Sequence, residues 1–417
     1  YNTGSNGLQN FSGSLSGADE KNSFYLGLER FHTDGISAMM HNDEKDRYRN
    51  NSLVAKYNFK INENLNFMSN LRFADTYLQY DKEVDTATAT HDEEFDGTEA
   101  SYNMSIVYDI NEKFSNNLTL ANTYIKRIYG ATKDSGNPIK DNYYGDRYAL
   151  SYTGNYNFNL DNSVVFGVEK EKDEIGYNKD LSGQIDNSNN ITSKFFDFQS
   201  RISNNIYLTF GSRFDEHSIA GNEESHRGTF AYLFDEKYTK IKSSFGTGFR
   251  FPSLYEMFFV YASNSSSIGH VKAENSKSFD LGFEKFLPDL NLNFEANYFN
   301  LSYDDVLEGW KTGTSSGSAY TTQNMPGTVK SQGLEFISRW MPNNYVDFDL
   351  NYTYTSTYDG AEQDDPDRNS SYTNAQMVRV PRHLINLKTN FTPSSFKNLN
   401  FTPVSYTHLT LPTTWSV

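Results

Sequence analysis

Residues 346–354 run Val-Asp-Phe-Asp-Leu-Asn-Tyr-Thr-Tyr, and this alternation decides the fold class. Val346, Phe348, Leu350, Tyr352 and Tyr354 take every second place, and Asp347, Asp349, Asn351 and Thr353 fill the gaps. Successive side chains of a strand point to opposite faces, so such a segment has one apolar and one polar side. A helix would scatter the same residues around its axis. The pattern recurs. Leu290, Leu292, Phe294, Ala296 and Tyr298 oppose Asn291, Asn293, Glu295 and Asn297. Ile206, Leu208, Phe210 and Phe214 oppose Tyr207, Thr209, Arg213 and Asp215. His383, Ile385, Leu387 and Phe391 oppose Arg382, Asn386, Lys388 and Asn390. The chain is all-β.

The connections narrow the architecture. Short turns such as Asp19-Glu20-Lys21, Asn62-Glu63-Asn64, Asn111-Glu112-Lys113 and Pro342-Asn343-Asn344 are rich in Asn, Asp and Pro, which suit tight turns for separate backbone reasons. They alternate with longer polar stretches at 35–45, 81–97, 131–144, 176–190, 218–223, 252–273, 309–318 and 359–377. One end of the sheet is therefore flat and the other carries loops. That is the plan of a transmembrane antiparallel β-barrel with short periplasmic turns and long extracellular loops. A soluble sandwich would not segregate its loops in this way. No repeat of propeller length is present. About seventeen strands can be counted, an odd number where single-chain bacterial barrels have even ones. The reading is therefore of a partial barrel.

Composition agrees. Hydrophobic residues are 36% of the 417, yet aromatic residues alone are 16%, with 30 Tyr and 32 Phe. Disordered chains are poor in rings, so the low apolar content does not mean disorder here. No apolar run is long enough for a transmembrane helix, whereas barrel strands need only about 9–11 residues of alternating pattern. Lipid offers no partner for backbone polar groups, so such strands must pair among themselves. The apolar face then meets outer-membrane lipid and the Asn/Asp/Glu/Ser face lines the interior. Rings near strand ends form interfacial girdles. A net charge of −16 argues against nucleic acid, and the absence of Cys fits export. No signal peptide stands at Tyr1. The start within a patterned strand is read as a truncated N-terminus. After Phe401 the alternation stops, and residues 403–417 are read as a non-native tail.

Phe245-Gly246-Thr247-Gly248-Phe249-Arg250-Phe251-Pro252-Ser253-Leu254-Tyr255-Glu256, followed by Lys272-Ala273-Glu274-Asn275-Ser276-Lys277-Ser278, carries a further signal. It resembles the signature G-(T/Y)-x-(F/Y)-(R/K)-x-P-x-(L/I)-x-(E/Q)-L, then L-x-P-E-x-(S/A), of TonB-dependent outer-membrane receptors. Tyr298–Leu307, the Gly333-Leu334-Glu335 segment and Val380-Pro381-Arg382-His383 resemble later strands of that family, in order, over Ser243–Phe391. Loop lengths look most similar to the vitamin B12 (cobalamin) receptor branch. The resemblance implies a monomeric 22-stranded barrel of the Gram-negative outer membrane, of which this chain supplies about seventeen strands. It also implies lipopolysaccharide around the loops, and a plug and TonB box that lie outside this chain. The function it implies is active import of cobalamin, or of a ferric siderophore or haem, energised through TonB. A passive porin or a rim enzyme is the alternative from another class.

Site residues follow from the same resemblance. Asp43, Glu44 and Asp46 fall in the loop matching one acidic calcium loop, and Tyr80, Asp81 and Asp85 match another. These are the Ca²⁺ candidates, because calcium takes six to eight oxygens from clustered carboxylates and carbonyls. Lys45 and Lys82 interrupt both clusters, and a solvated acidic loop is the competing reading. Tyr255, Phe258, Phe259 and Tyr261 are the ligand-binding candidates. They can stack on a flat corrin or catecholate, or anchor in the outer leaflet. No Ser/His/Asp constellation, phosphate loop or catalytic carboxylate pair is present, so the chain is not read as an enzyme.

Overall fold

The computed structural model describes residues 1–37, 45–81, 92–131, 139–179, 183–234, 238–258, 271–312, 319–325, 327–360, 376–377, 379–393 and 401–406. In chain order the strands are β1 (Asn2–Thr3), β2 (Gln9–Ala18), β3 (Asn22–Thr33), β4 (Tyr48–Lys60), β5 (Leu65–Asp81), β6 (Asp92–Asn111), β7 (Phe114–Ala131), β8 (Ile139–Asn157), β9 (Asn162–Lys179), β10 (Gly183–Ser203), β11 (Ile206–His217), β12 (Gly221–Phe234), β13 (Thr239–Arg250), β14 (Glu274–Leu287), β15 (Leu292–Asp304), β16 (Leu307–Thr312), β17 (Ala319–Asn324), β18 (Thr328–Asn343), β19 (Val346–Asp359), β20 (His383–Phe391) and β21 (Val404–Tyr406). Nineteen lie in one antiparallel sheet, and β16 and β17 form a separate hairpin. Without the short β1 and β21, seventeen long strands remain, the number the alternation predicts. A short helix, α1 (Leu254–Phe258), follows β13.

Two units are distinguished. One holds Tyr1–Asn157, Val165–Lys194 and Asp215–Ile219; the other holds Phe158–Val164, Phe195–Phe214 and Ala220–Val417. Register builds an apolar face in each. In the first unit Met104, Leu120 and Leu150 lie side by side on β6, β7 and β8. All three are exposed. In the second, Tyr232, Ile241, Phe283, Ala296, Phe336, Tyr352 and Ile385 form one row across seven strands. An exposed apolar surface of this extent suits lipid, because in water it would promote association.

The other face is polar. Ser105 is buried and shares a 2.9 Å hydrogen bond with the Thr119 hydroxyl. On β13–β15, Lys240 and Lys242 donate to Glu284 at 2.6–3.1 Å, and Lys242 also reaches Glu295 at 2.5 Å. The short turns are locked by their own side chains. Asp19 Oδ1 accepts the N–H groups of Lys21 and Asn22 at 2.8 and 2.7 Å. Asn111 Oδ1 does the same for Lys113 and Phe114, and Asn343 Oδ1 for Tyr345 and Val346. Competition by Asx side chains for local N–H groups explains why these residues mark the flat end. Trp340 stacks on Phe348 beside the Asn343 turn, as an interfacial girdle requires.

Several predicted boundaries are corrected. The 176–190 stretch is mostly strand, since β9 runs to Lys179 and β10 starts at Gly183. Strands of 20 and 21 residues, β6 and β10, exceed the length a bilayer needs. Beyond the membrane both faces are wet, so backbone pairing continues while the apolar alternation fades. Residues 218–223 reduce to a tight turn at Ser218–Ala220. The strand that the resemblance carries through Tyr298–Leu307 ends at Asp304, because Asp305 takes a left-handed φ of 57° and the chain re-forms as the β16–β17 hairpin. Val404–Tyr406 pairs with Asn386–Lys388.

Candidate functional site

The signature residues converge at the loop end of β13 and β14. Arg250, the last residue of β13, forks between two carboxylates. Its Nε donates to Glu274 at 2.6 Å, and its Nη1 and Nη2 donate to Glu256 at 2.9 and 3.0 Å. Ser253 and Glu256 form a capping box on α1. Ser253 Oγ accepts the Glu256 N–H at 3.2 Å, and the Glu256 carboxylate accepts the Ser253 N–H at 2.7 Å. The remaining Glu274 oxygen accepts the Leu307 N–H at 2.6 Å, tying in the β16–β17 hairpin.

Asn324 completes the arrangement. Its Oδ1 accepts the Lys272 N–H at 2.7 Å, while its Nδ2 donates to the carbonyls of Lys272 and Asp305. Pro252, Leu254, Met257, Ala273 and Met325 are buried along these segments, an apolar floor under the clamp. Burial alone would raise the Glu256 carboxyl. The Arg250 fork and the two Ser253 donors outweigh it and hold Glu256 below the ordinary range. The clamp therefore fixes the roots of three connections with ionised groups. Its fixed planar fork is a role for Arg that Lys would not fill.

A second feature lies at the loop end of the first unit. Phe95 packs on Tyr129 at 5.2 Å, Tyr129 on Tyr143 at 5.8 Å, and Tyr143 on Tyr177 at 4.6 Å. The row crosses β6, β7, β8 and β9. By strand parity these rings share the polar face of Ser105 and Thr119, opposite Met104, Leu120 and Leu150. On the same face of β9, Glu169, Glu171 and Asp173 stand at alternate positions, and Arg147 of β8 pairs with Asp173 at 2.5 and 2.9 Å.

The sequence matches the family described as TonB dependent receptor-like, beta-barrel, over residues 1–415. The chain belongs to that family. It lies in the outer membrane of Gram-negative bacteria, the membrane of TonB-dependent receptors. Solved structures share the fold. A mutant of the ferric enterobactin receptor PfeA from Pseudomonas aeruginosa is 15% identical with a TM-score of 0.75, the match covering 96% of this chain and 65% of that one. The copper transporter OprC is 14% identical with a TM-score of 0.72, covering 94% and 64%. A double mutant of the hemophore receptor HasR from Serratia marcescens, in complex with its hemophore and heme, is 15% identical with a TM-score of 0.72, covering 95% and 70%. No curated protein matches the sequence. The receptor chain thus spans a little under two-thirds of the first two structures' length.

The residues expected to hold ligands are placed only in part. Asp43, Glu44, Asp85, Phe259 and Tyr261 lie outside the described residues. Asp46 is half-buried, and a Cβ on Gly35, whose φ is +71°, would overlap its carbonyl oxygen. Lys45 turns to Asp34 at 3.3 Å. Tyr80 hydrogen-bonds to Glu93 from the neighbouring strand, and Asp81 pairs with Asp92 at the end of β5. Among the described residues no group of three or more acidic or His side chains is placed to hold a metal ion. Tyr255 is exposed and Phe258 half-buried on α1.

Sequence reasoning missed Tyr129, Tyr143 and Tyr177. The available signal was parity. Counted upward from the apolar half of each strand, all three fall on the parity of Thr119, Ser151 and Glu171, a mostly polar series that Ile125 and Ile175 interrupt.

Proposed function

We propose that the complete receptor captures a scarce, bulky nutrient at the extracellular rim and imports it with energy delivered through TonB. The observation that carries this reading is the Arg250–Glu256–Glu274 clamp, in which the family signature ties together the loop ends of β13 and β14. A passive porin has no need of such an anchored loop scaffold. Among nutrients, cobalamin is the first substrate proposed, with a ferric siderophore or haem as rivals. Calcium at Asp43, Glu44, Asp46, Tyr80, Asp81 and Asp85 belongs to the cobalamin proposal. Lipopolysaccharide around a monomeric barrel is the proposed setting.

The test is uptake. Cells of a Gram-negative host lacking its own receptors would express the complete protein and receive labelled cyanocobalamin, a ferric siderophore or haem. Accumulation of one of them that stops on uncoupling the proton-motive force is the expected result. Uptake that ignores the uncoupler would overturn the reading in favour of a pore. For cyanocobalamin, loss of binding on calcium chelation is expected, and binding indifferent to chelation removes the metal proposal.

A further inference from the structure

Register brings a serine, a histidine and a carboxylate together on the outward face of β11 and β12. Ser212 Oγ lies 2.9 Å from His226 Nδ1, and the other ring nitrogen, Nε2, lies 3.8 Å from Glu224 Oε1. Fourteen residues separate Ser212 from His226, so no local motif shows the pair. The Phe214 ring stands edge-on to the imidazole at 6.4 Å. The His226 backbone N–H donates to Thr247 Oγ1 at 2.9 Å, which leaves the Thr247 hydroxyl proton for another acceptor. A hydroxyl paired with an imidazole that a carboxylate backs is the arrangement of an activated nucleophile.

The surroundings narrow the substrate. Ser212 shares the parity of Leu208 and Phe210, and His226 that of Phe230 and Tyr232, all four exposed on the lipid-facing side. From His226 and Thr247 the same level runs on through Lys277, Ser302 and Lys330, all polar. The level below it holds Gly228, Phe245 and Phe279. The boundary between lipid chains and headgroups therefore passes here, where membrane lipids carry their acyl ester carbonyls. Antiparallel counting from Ser212 and His226 sets Phe210 level with Gly228. Phe210 and Phe245 are 52% and 51% exposed, and a Cβ on Gly228 between them would meet nothing within 4 Å. That open notch is a seat for an acyl chain beside the hydroxyl. Ser212 itself is buried and so shielded from bulk water.

We propose that this face is a second site of the chain, a serine esterase that hydrolyses an acyl ester of an outer-leaflet lipid. Ser212 Oγ attacks the ester carbonyl carbon, and its proton passes to His226 Nδ1. Glu224 stabilises the imidazolium so formed, and the Thr247 hydroxyl donates to the oxyanion. Collapse breaks the bond between the acyl carbon and the ester oxygen, and His226 protonates the departing alcohol. A water deprotonated by His226 then attacks the acyl-Ser212 ester, releases the carboxylic acid and restores the hydroxyl. Ester and water become acid and alcohol, with no other co-reactant. The activity is independent of import.

The test uses the complete receptor in an ester-free detergent, with p-nitrophenyl dodecanoate and p-nitrophenyl butanoate as substrates and a fluorophosphonate as covalent label. Release of p-nitrophenolate and a label on Ser212 are expected, and Ser212→Ala should abolish both. His226→Gln should slow hydrolysis by about a hundredfold or more. Glu224 positions the ring without touching the ester, so Glu224→Gln should lower kcat by about tenfold or more and leave KM in place. Gly228→Leu fills the notch and should lower the dodecanoate-to-butanoate ratio by about tenfold. In phosphatidylethanolamine vesicles the receptor should release fatty acid, and Ser212→Ala should not. Heat-dependent gel migration confirms that each variant is folded. A label that misses Ser212, hydrolysis that persists in folded Ser212→Ala, or no hydrolysis of either ester would each overturn the proposal. A ratio indifferent to Gly228→Leu, or vesicles left intact, would overturn the lipid as substrate.

Discussion

Replacing Arg250 by Met keeps the aliphatic stem and removes the fork. Three charge-assisted hydrogen bonds are lost, one to Glu274 and two to Glu256. The two carboxylates are 17% and 23% exposed, while Arg250 itself is 48% exposed. Charged hydrogen bonds contribute about 1.5–3 kcal/mol each when shielded, and much less when water screens them. With half the guanidinium in solvent, about 2 kcal/mol for the whole fork is a fair magnitude. That energy is local, because β13 and β14 stay paired over their whole length from Thr239↔Lys285 to Arg250↔Glu274. Hydrogen exchange is the assay, since a cost of about 2 kcal/mol corresponds to roughly thirtyfold faster opening. The amides of Ser253, Glu256 and Leu307, whose acceptors belong to the clamp, should speed up by about that factor. Amides in the middle of β13 should not change. Equal protection in both proteins would refute the clamp as a support for the loops. Loss of protection throughout the sheet would show that its energy was misassigned to the rim.

Further perturbations separate the two faces and the rim. Glu256 is held below its ordinary 4.5, so its stabilisation is complete above that value and is lost as pH falls through the lower folded-state pKa. The protection factor of the Ser253 amide, corrected for the intrinsic pH dependence of exchange, should therefore be flat from neutral pH to about 5 and fall only in stronger acid, a profile the Glu256→Gln variant abolishes. Leu334 is 55% exposed on the apolar face, between its register partners Tyr298 and Tyr354. Leu334→Arg should destabilise folding into vesicles by about 2–4 kcal/mol near mid-membrane, measured by urea titration. A Cβ on Gly333 would meet the Phe299 ring at 2.6 Å and overlap the Tyr354 carbonyl. Gly333→Val should cost about 1–3 kcal/mol in the same assay.

The sheet was legible because a bilayer imposes a rule on every second residue. Val346, Phe348, Leu350, Tyr352 and Tyr354 do share the apolar face, paired with Phe391, Thr389, Leu387, Ile385 and His383. The turns were legible because Asp19, Asn111 and Asn343 close them with their own side chains. The signature was legible as a pattern, but not as a clamp. Arg250 and Glu274 are 24 residues apart, and only the register of β13 with β14 makes them neighbours. The upper halves of β6 and β10 look like loops in sequence because alternation carries information only where lipid touches the strand. The end of β15 is misplaced by sequence because Asp305 breaks the strand through its own backbone conformation, which composition does not reveal.

The same parity rule that sends apolar residues to lipid means that an interior ring calls for a structural use. Some interior rings cover a glycine. Phe299 lies over Gly333 and Tyr25 over Gly27, each filling a notch where a Cβ would clash. Covering a strand glycine with a ring compensates the missing side chain, so these two rings serve the wall itself. Phe95 is partly of this kind, since its ring reaches within 2.8 Å of a Cβ built on Gly97. Tyr129, Tyr143 and Tyr177 instead meet one another across three strands, Tyr129 edge-on to Tyr143 and Tyr143 stacked on Tyr177. Cross-strand ring pairs of this sort stabilise a sheet, by about 0.2–1 kcal/mol each. Tyr129→Leu/Tyr143→Leu should therefore lower resistance to urea by about that amount for each pair lost. Unchanged resistance would refute a structural use for the row.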